Sequence, residues 1–211
     1  MLVAQVVFDQ FTDIDVFLAW DLLNRVRHPG WSVKLLGTAS HYTSRTGLTV
    51  PMHGSIDEAS SADAVLFSSG PGTRVLYRDP GYLARFRLDP ERQLIGSMCS
   101  GALLLAALGL LDGRPATTHP IVAELLRAEG VDVVQAPFVR SGKVATAAAC
   151  LAGVDLASWV VESLLGPEAR GAMLAEVRPV GRDLVLASDR PAGSSAVSHA
   201  EPLRGSRQDE Q

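Results

Sequence analysis

The sequence predicts an α/β domain built on a mostly parallel sheet with helices on both faces. Two observations carry that reading. Short strand-like runs alternate with segments of helical spacing along most of the chain, the pattern that builds parallel sheets through helical crossovers. The Gly-, Ser- and Pro-containing turns that could carry chemistry follow the strand-like runs, and in such sheets ligands collect beyond the carboxyl ends of strands.

The elements follow in order. The run LVAQVVF (2–8) is short and β-branched, as a buried strand is. In residues 12–27 Phe17, Trp20, Leu22, Leu23 and Val26 recur at helical spacing, with Asp13 or Asp15 where an N-cap is expected. WSVKLLG (31–37) reads as a second strand, and 48–59 as an irregular or hairpin excursion punctuated by Pro51 and Gly54. ADAVLFSSGPGTR (62–74) is a strand entering a Gly-rich turn. Residues 79–92 read as a helix ending near Asp89-Pro90. QLIGSMC (93–99) is a strand, and 100–113 a helix closed by Gly113. RPATTH (114–119) is a short strand. Residues 120–130 form a helix with Pro120 in its first turn and Gly130 at its end. Residues 131–147 hold one or two strands with a turn at Ser141-Gly142, and 148–166 a long apolar helix.

Length and composition fit one domain. The chain has 211 residues, 47% hydrophobic and 20% charged, enough apolar material for a core, which aliphatic side chains must fill because only 6% are aromatic. Residues 1–190 are taken as the domain, and 191–211, polar and rich in Gly, Ser and Pro, as a disordered tail. A net charge of −4 without a basic run gives no electrostatic support for nucleic-acid or anionic-membrane partners. The N-terminal run reads as a strand rather than a signal peptide, and the longest apolar run, near 102–111, is too short to span a bilayer. A cytoplasmic location is expected. Two cysteines are too few for a disulfide scaffold. The five histidines (His28, His41, His53, His119, His199) are dispersed, so no metal site is expected, and SGPGTR lacks the Lys-Ser of a phosphate loop.

Cys99 sits where a strand turns into a helix, in GSMCSG. Such an elbow lifts a nucleophile to the sheet tip, and the helix N-terminus should favour thiolate over thiol. Buried free cysteine is also a common core residue, so turn context alone leaves both roles open. Asp15 could cap the helix or serve as an acid near the thiol.

GSMCSGALLLAALGLLDGRPATTHP, with DIDVFLAWDLL upstream, resembles the ThiJ/PfpI superfamily of class I glutamine amidotransferase-like proteins, and within it the isonitrile (isocyanide) hydratases and the similar domains of AraC-type regulators. The resemblance covers roughly residues 3–165 and implies a flavodoxin-like three-layer sandwich. It places the nucleophile on Cys99, its acidic partner on Asp15, and a hydroxyl able to reach Asp15 or a ligand on Ser100. It puts the Gly-rich loop on Ser69-Gly70-Pro71-Gly72, so that Gly70 and Gly72 could present backbone donors. It sets His119 near the cysteine, as a second base or simply a packing residue. Phe17 would border the pocket or join the core, and Leu151 would make the pocket wall bulkier. Cys150 is expected in the core. The resemblance further implies a cofactor-free lyase acting on a small molecule, a homodimer, and no metal. A carbonyl-directed enzyme using the same cysteine and a ligand or redox sensor are the alternatives.

Overall fold

The computed structural model describes residues 1–181 and 186–189. Seven strands form the main sheet: β1 (Leu2–Val6), β2 (Ser32–Gly37), β5 (Gly54–Ser55), β6 (Ala64–Phe67), β7 (Leu94–Met98), β10 (Phe138–Ser141) and β11 (Val144–Ala147), in the order β10-β11-β7-β6-β1-β2-β5. All neighbours run parallel except β10 and β11, a hairpin turning at Gly142. β3 (His41–Thr43) pairs with β4 (Thr49–Pro51), and β8 (Pro115–Ala116) with β9 (Asp132–Val133), as separate ribbons.

Alternate strand residues point to opposite faces, and both faces are covered. Ala4, Val6, Leu36, Val65, Phe67 and Ile95 pack on one side with α4 (Ala102–Ala107) and α5 (Ala123–Ala128). Val3, Val33, Ala64, Leu66, Leu94 and Met98 pack on the other with α1 (Asp13–Asn24), α6 (Gly153–Leu165) and α7 (Pro167–Ala175). The three-layer α/β sandwich expected from the sequence is the architecture found.

Local differences have local causes. Only one single-turn helix, α3 (Pro80–Leu83), forms in the stretch read as a helix over 79–92, and another, α2 (Thr73–Leu76), precedes it; Asp79 caps α3 through the amides of Gly81 and Tyr82. The apolar run after Cys99 is helical only through a 3₁₀ turn (Cys99–Gly101) and α4, because Gly109 adopts φ +70°. Residues 131–147 hold three short strands rather than one or two, and α6 begins at Gly153 after a 3₁₀ turn (Cys150–Ala152). The tail proposed for 191–211, and His199 within it, lie outside the described residues. Among the described residues no helix is long and apolar enough to cross a membrane.

Candidate active site

Four chain segments converge beyond the carboxyl ends of β1, β6, β7 and β11. Cys99 follows β7 directly and adopts φ +51°, an uncommon conformation for a side-chain-bearing residue. Gly101 lets this elbow pass under β6: a Cβ there would lie 2.7 Å from the carbonyl oxygens of Phe67 and Ser68. The Thr118 hydroxyl donates to the Cys99 carbonyl at 2.7 Å and pins the turn from the other side.

Asp15 lies in the first turn of α1 and is fully buried. It does not cap the helix: Thr12 holds the N-cap position, without a side-chain cap bond. Instead the Asp15 carboxylate accepts from the Ser69 hydroxyl at Oδ2, while Oδ1 has no well-formed hydrogen bond. Below it, the buried Gln5 amide donates to the carbonyls of Asp15 (3.4 Å) and Val16 (3.0 Å) and to Ser68 Oγ (3.4 Å), tying α1 to the end of β6.

The Cys99 thiol is half-buried, and its ionisation is pushed up to about 11. Burial is the first cause and the Asp15 charge the second; the Ser100 amide, the Ser69 hydroxyl and the more distant Arg74 charge oppose them but do not win. The thiolate-favouring helix terminus expected from the sequence is therefore outweighed, by burial first and the nearby carboxylate second. A thiol beside a carboxylate resists losing its proton to water, since two neighbouring negative charges disfavour each other. It can still pass that proton to the carboxylate.

Cys150, expected in the core, is half-exposed at the same site. Ala147 of β11 pairs with Met98 of β7, so Cys99 and Cys150 leave adjacent strand ends. Burial, then the adjacent Asp15 carboxyl, then Cys99 push the Cys150 thiol up to about 12. The turn that aims it runs through Ala149 at φ +64°, ψ 167°, a region that belongs almost entirely to glycine.

The other expected residues divide. Ser100 Oγ accepts from the Gly70 amide (3.2 Å) and lies 3.3 Å from the Gly70 carbonyl, so it braces the loop and does not reach Asp15. That bond also occupies the Gly70 amide expected to serve as an oxyanion donor. Gly70 has φ +149°, and a Cβ there would sit 2.3 Å from the Gln10 carbonyl oxygen; Gly72 packs its bare Cα against Asp9 and Phe8. His119 precedes the 3₁₀ turn Pro120–Val122 and accepts the Ile121 amide at Nδ1 (3.2 Å), a hydrogen-bonded structural role nearer its packing reading than that of a second base. Phe17 makes an edge contact with Phe11 (6.1 Å between centroids) beside Val7, Val16 and Leu35, on the core side of its two readings. Leu151 is 74% exposed at the rim. Ser69 and Cys150 are the side chains at the site that sequence reasoning did not single out as functional. Among the described residues no cluster of three or more His, Cys, Asp or Glu side chains is placed to hold a metal ion.

A cysteine on a strand-to-helix elbow, beside a buried carboxylate from the first turn of the helix after the first strand, defines a cysteine-centred α/β site. The chain belongs to the DJ-1/PfpI family, whose profile matches residues 1–163. It is 32% identical over 125 residues to the isonitrile hydratase of Pseudomonas putida, an alignment covering 59% of this chain and 55% of that enzyme. In fold it is similar to a ThiJ/PfpI family protein from Pseudomonas syringae (TM-score 0.75, 24% identity, 90% of this chain and 78% of that one). It is also similar to DJ-1beta of Drosophila melanogaster (TM-score 0.74, 18% identity, 83% and 96%). An AraC family transcriptional regulator from Pseudomonas putida shares the fold as well (TM-score 0.69, 18% identity, 84% and 99%).

Proposed function

We propose that the chain is a cofactor-free, cysteine-dependent lyase that hydrates an isonitrile to an N-substituted formamide. The observation that carries this is the buried Asp15 carboxylate beside the Cys99 thiol. Identity to an isonitrile hydratase over part of the chain supports the substrate class.

Cys99 gives its proton to Asp15, and the thiolate attacks the terminal isonitrile carbon. Asp15 returns the proton to that carbon, giving a thioimidate, R–N=CH–S–Cys99. Asp15 then takes a proton from water as it adds and passes it to the nitrogen, giving R–NH–CH(OH)–S–Cys99, whose hydroxyl proton goes through Asp15 to sulfur as the C–S bond breaks. Collapse of the tetrahedral adduct releases R–NH–CHO and the free thiol, so one water is consumed and no cofactor is needed. The carbonyl-directed alternative needs donors at a developing oxyanion. With the Gly70 amide already bonded to Ser100, the site is better supplied with a proton than with oxyanion donors, which favours the isonitrile.

In this reading residues 1–190 form one catalytic domain, acting in the cytoplasm as a homodimer on a small molecule. The test is to incubate the purified chain with alkyl and aryl isonitriles and follow formamide by NMR. Formamide should appear and be abolished in Cys99→Ala. A folded protein that produces none, or a Cys99→Ala variant that retains turnover, would sink the reading.

A further inference from the structure

The Cys99 elbow is held at its carbonyl end by a side chain from a distant part of the chain. The Cys99 carbonyl accepts the Ala102 amide, which closes the 3₁₀ turn, and the Thr118 hydroxyl at 2.7 Å, which comes from the segment after β8. Thr118 is itself fixed. It is buried, and its neighbour Thr117 is tied at both ends: its amide donates to Thr146 Oγ1 of β11 (2.8 Å) and its hydroxyl to the Ala136 carbonyl (2.7 Å). In a planar trans peptide the C=O and N–H point in opposite directions. A carbonyl held toward Thr118 therefore turns the Ser100 N–H the other way, back over the elbow. That N–H lies in the first turn, where no carbonyl of the turn itself can accept it. The Ser100 hydroxyl is engaged with Gly70, so the amide is what Ser100 offers to the thiol. Burial and then the Asp15 charge push the thiol up, and the Ser100 amide is the foremost influence drawing it down. A hydroxyl bonded to the carbonyl also polarises the peptide and makes its N–H a better donor.

We propose that Thr118 is a positioning residue for Cys99: by holding the Cys99 carbonyl it keeps the Ser100 N–H turned toward the sulfur, where that N–H stabilises the thiolate. Cys99 stands at φ +51°, a conformation that persists only where the surroundings hold it. Without the hydroxyl, only the Ala102 amide, from within the turn, holds the carbonyl, and the peptide is freer to tilt away from sulfur.

The inference rests on Cys99 as the reacting group but not on what it attacks, so its test uses no substrate. It concerns the equilibrium amount of thiolate, which the pH profile of alkylation reads directly. Cys99 is alkylated with iodoacetamide, a neutral reagent, between about pH 7 and about pH 11, and the Cys99 peptide is followed by mass spectrometry. Wild type is compared with Thr118→Val, which keeps the shape and loses the hydroxyl, and Thr118→Ser, which keeps the hydroxyl. Thermal melts check folding, and Thr118→Ala is a second hydroxyl-free variant should valine not fold. Asp15, Cys150 and Arg74, the ionisable groups around the thiols, are unchanged in every variant. Losing the hydroxyl should move the profile up by about half a pH unit and slow alkylation near pH 8 about three-fold, the scale of one hydrogen bond. Serine should stay within about 1.5-fold of wild type. A purely structural role would lower the melting temperature and leave the profile in place. A folded hydroxyl-free variant whose profile superimposes on wild type therefore overturns the proposal, as does a serine variant that behaves like valine. Failure to hydrate isonitriles would leave this result standing, and a flat Thr118 response would leave the hydratase reading standing.

Discussion

Replacing Asp15 with asparagine should move thiol reactivity and turnover in opposite directions. Asparagine keeps the shape of the side chain and an oxygen for the Ser69 hydroxyl, but removes the charge and the proton acceptor. With Cys99 pushed up to about 11, only about one thiol in a thousand is ionised near pH 8. Burial is the larger cause and remains in the variant, so losing the Asp15 charge removes the smaller part of the rise, and each pH unit by which the profile moves down is ten-fold in thiolate. Alkylation of Cys99 by iodoacetamide near pH 8 should therefore quicken by up to about ten-fold. Formamide production should fall by at least about a hundred-fold, the usual scale of a lost general acid–base group. An Asp15→Asn protein that is slower in both assays would refute the electrostatic argument, and one that keeps turnover would refute the role of Asp15.

The same shift fixes a pH dependence of stability. The folded state holds the Cys99 proton up to about 11, whereas an ordinary thiol releases it near 9.0. Between those values the folded chain binds more protons than the unfolded one, so stability falls as pH rises through that window and is complete below it. Urea unfolding at stepped pH should show this loss, and Asp15→Asn should narrow the window from above.

Two further substitutions test the backbone that aims the site. Ala149→Gly should stabilise the protein by about 1 kcal/mol, because relief of a glycine-only conformation exceeds the entropy that glycine adds to the unfolded chain. The melting temperature should rise by about 2–4 °C, and a fall would show that Ala149 is not strained. Gly101→Ala forces a Cβ to 2.7 Å from two backbone carbonyl oxygens that cannot rotate away. It should lower the melting temperature by about 4 °C or more and slow Cys99 alkylation, and an unchanged melt would contradict the close packing of the elbow against β6.

How far the site could be read in the sequence depended on whether a residue's role was set locally. Cys99 was legible because a strand, a cysteine between small residues and an apolar run define an elbow within about ten residues. Asp15 was half-legible: acid at a helix start suits a cap equally well, and the neighbouring Thr12 decided the matter by taking the cap position. Cys150 was misplaced because its orientation depends on the register of β11 against β7 and on a positive φ at alanine, neither of which has a signature in ATAAACLAG. The helix after Cys99 was overextended because its apolar run continues through Gly109, where the backbone turns left-handed. The ionisation of Cys99 was misjudged in sign for a related reason: the favourable amide is local and visible, whereas the burial and the carboxylate that outweigh it arrive from β6 and α1.

Those distant contributions also explain why a thiol so reluctant to ionise is not thereby inert. A permanently ionised thiolate in the open site would be exposed to oxidants and alkylating agents whether or not substrate was present. Keeping the proton on sulfur, with a carboxylate nearby, separates resting reactivity from reactivity toward a bound electrophile. The burial that raises Cys99 also strengthens its hydrogen bonds to Ser69 and the Ser100 amide, because screening by water is weak there. Cys150 holds its proton more tightly still: burial, then its hydrogen bond to the Asp15 carboxylate and that group's charge, then Cys99, push its thiol up to about 12, and only its own amide opposes the rise. Two cysteines on neighbouring elbows thus share one carboxylate unequally, and the proton of Cys99 is the less tightly held of the two.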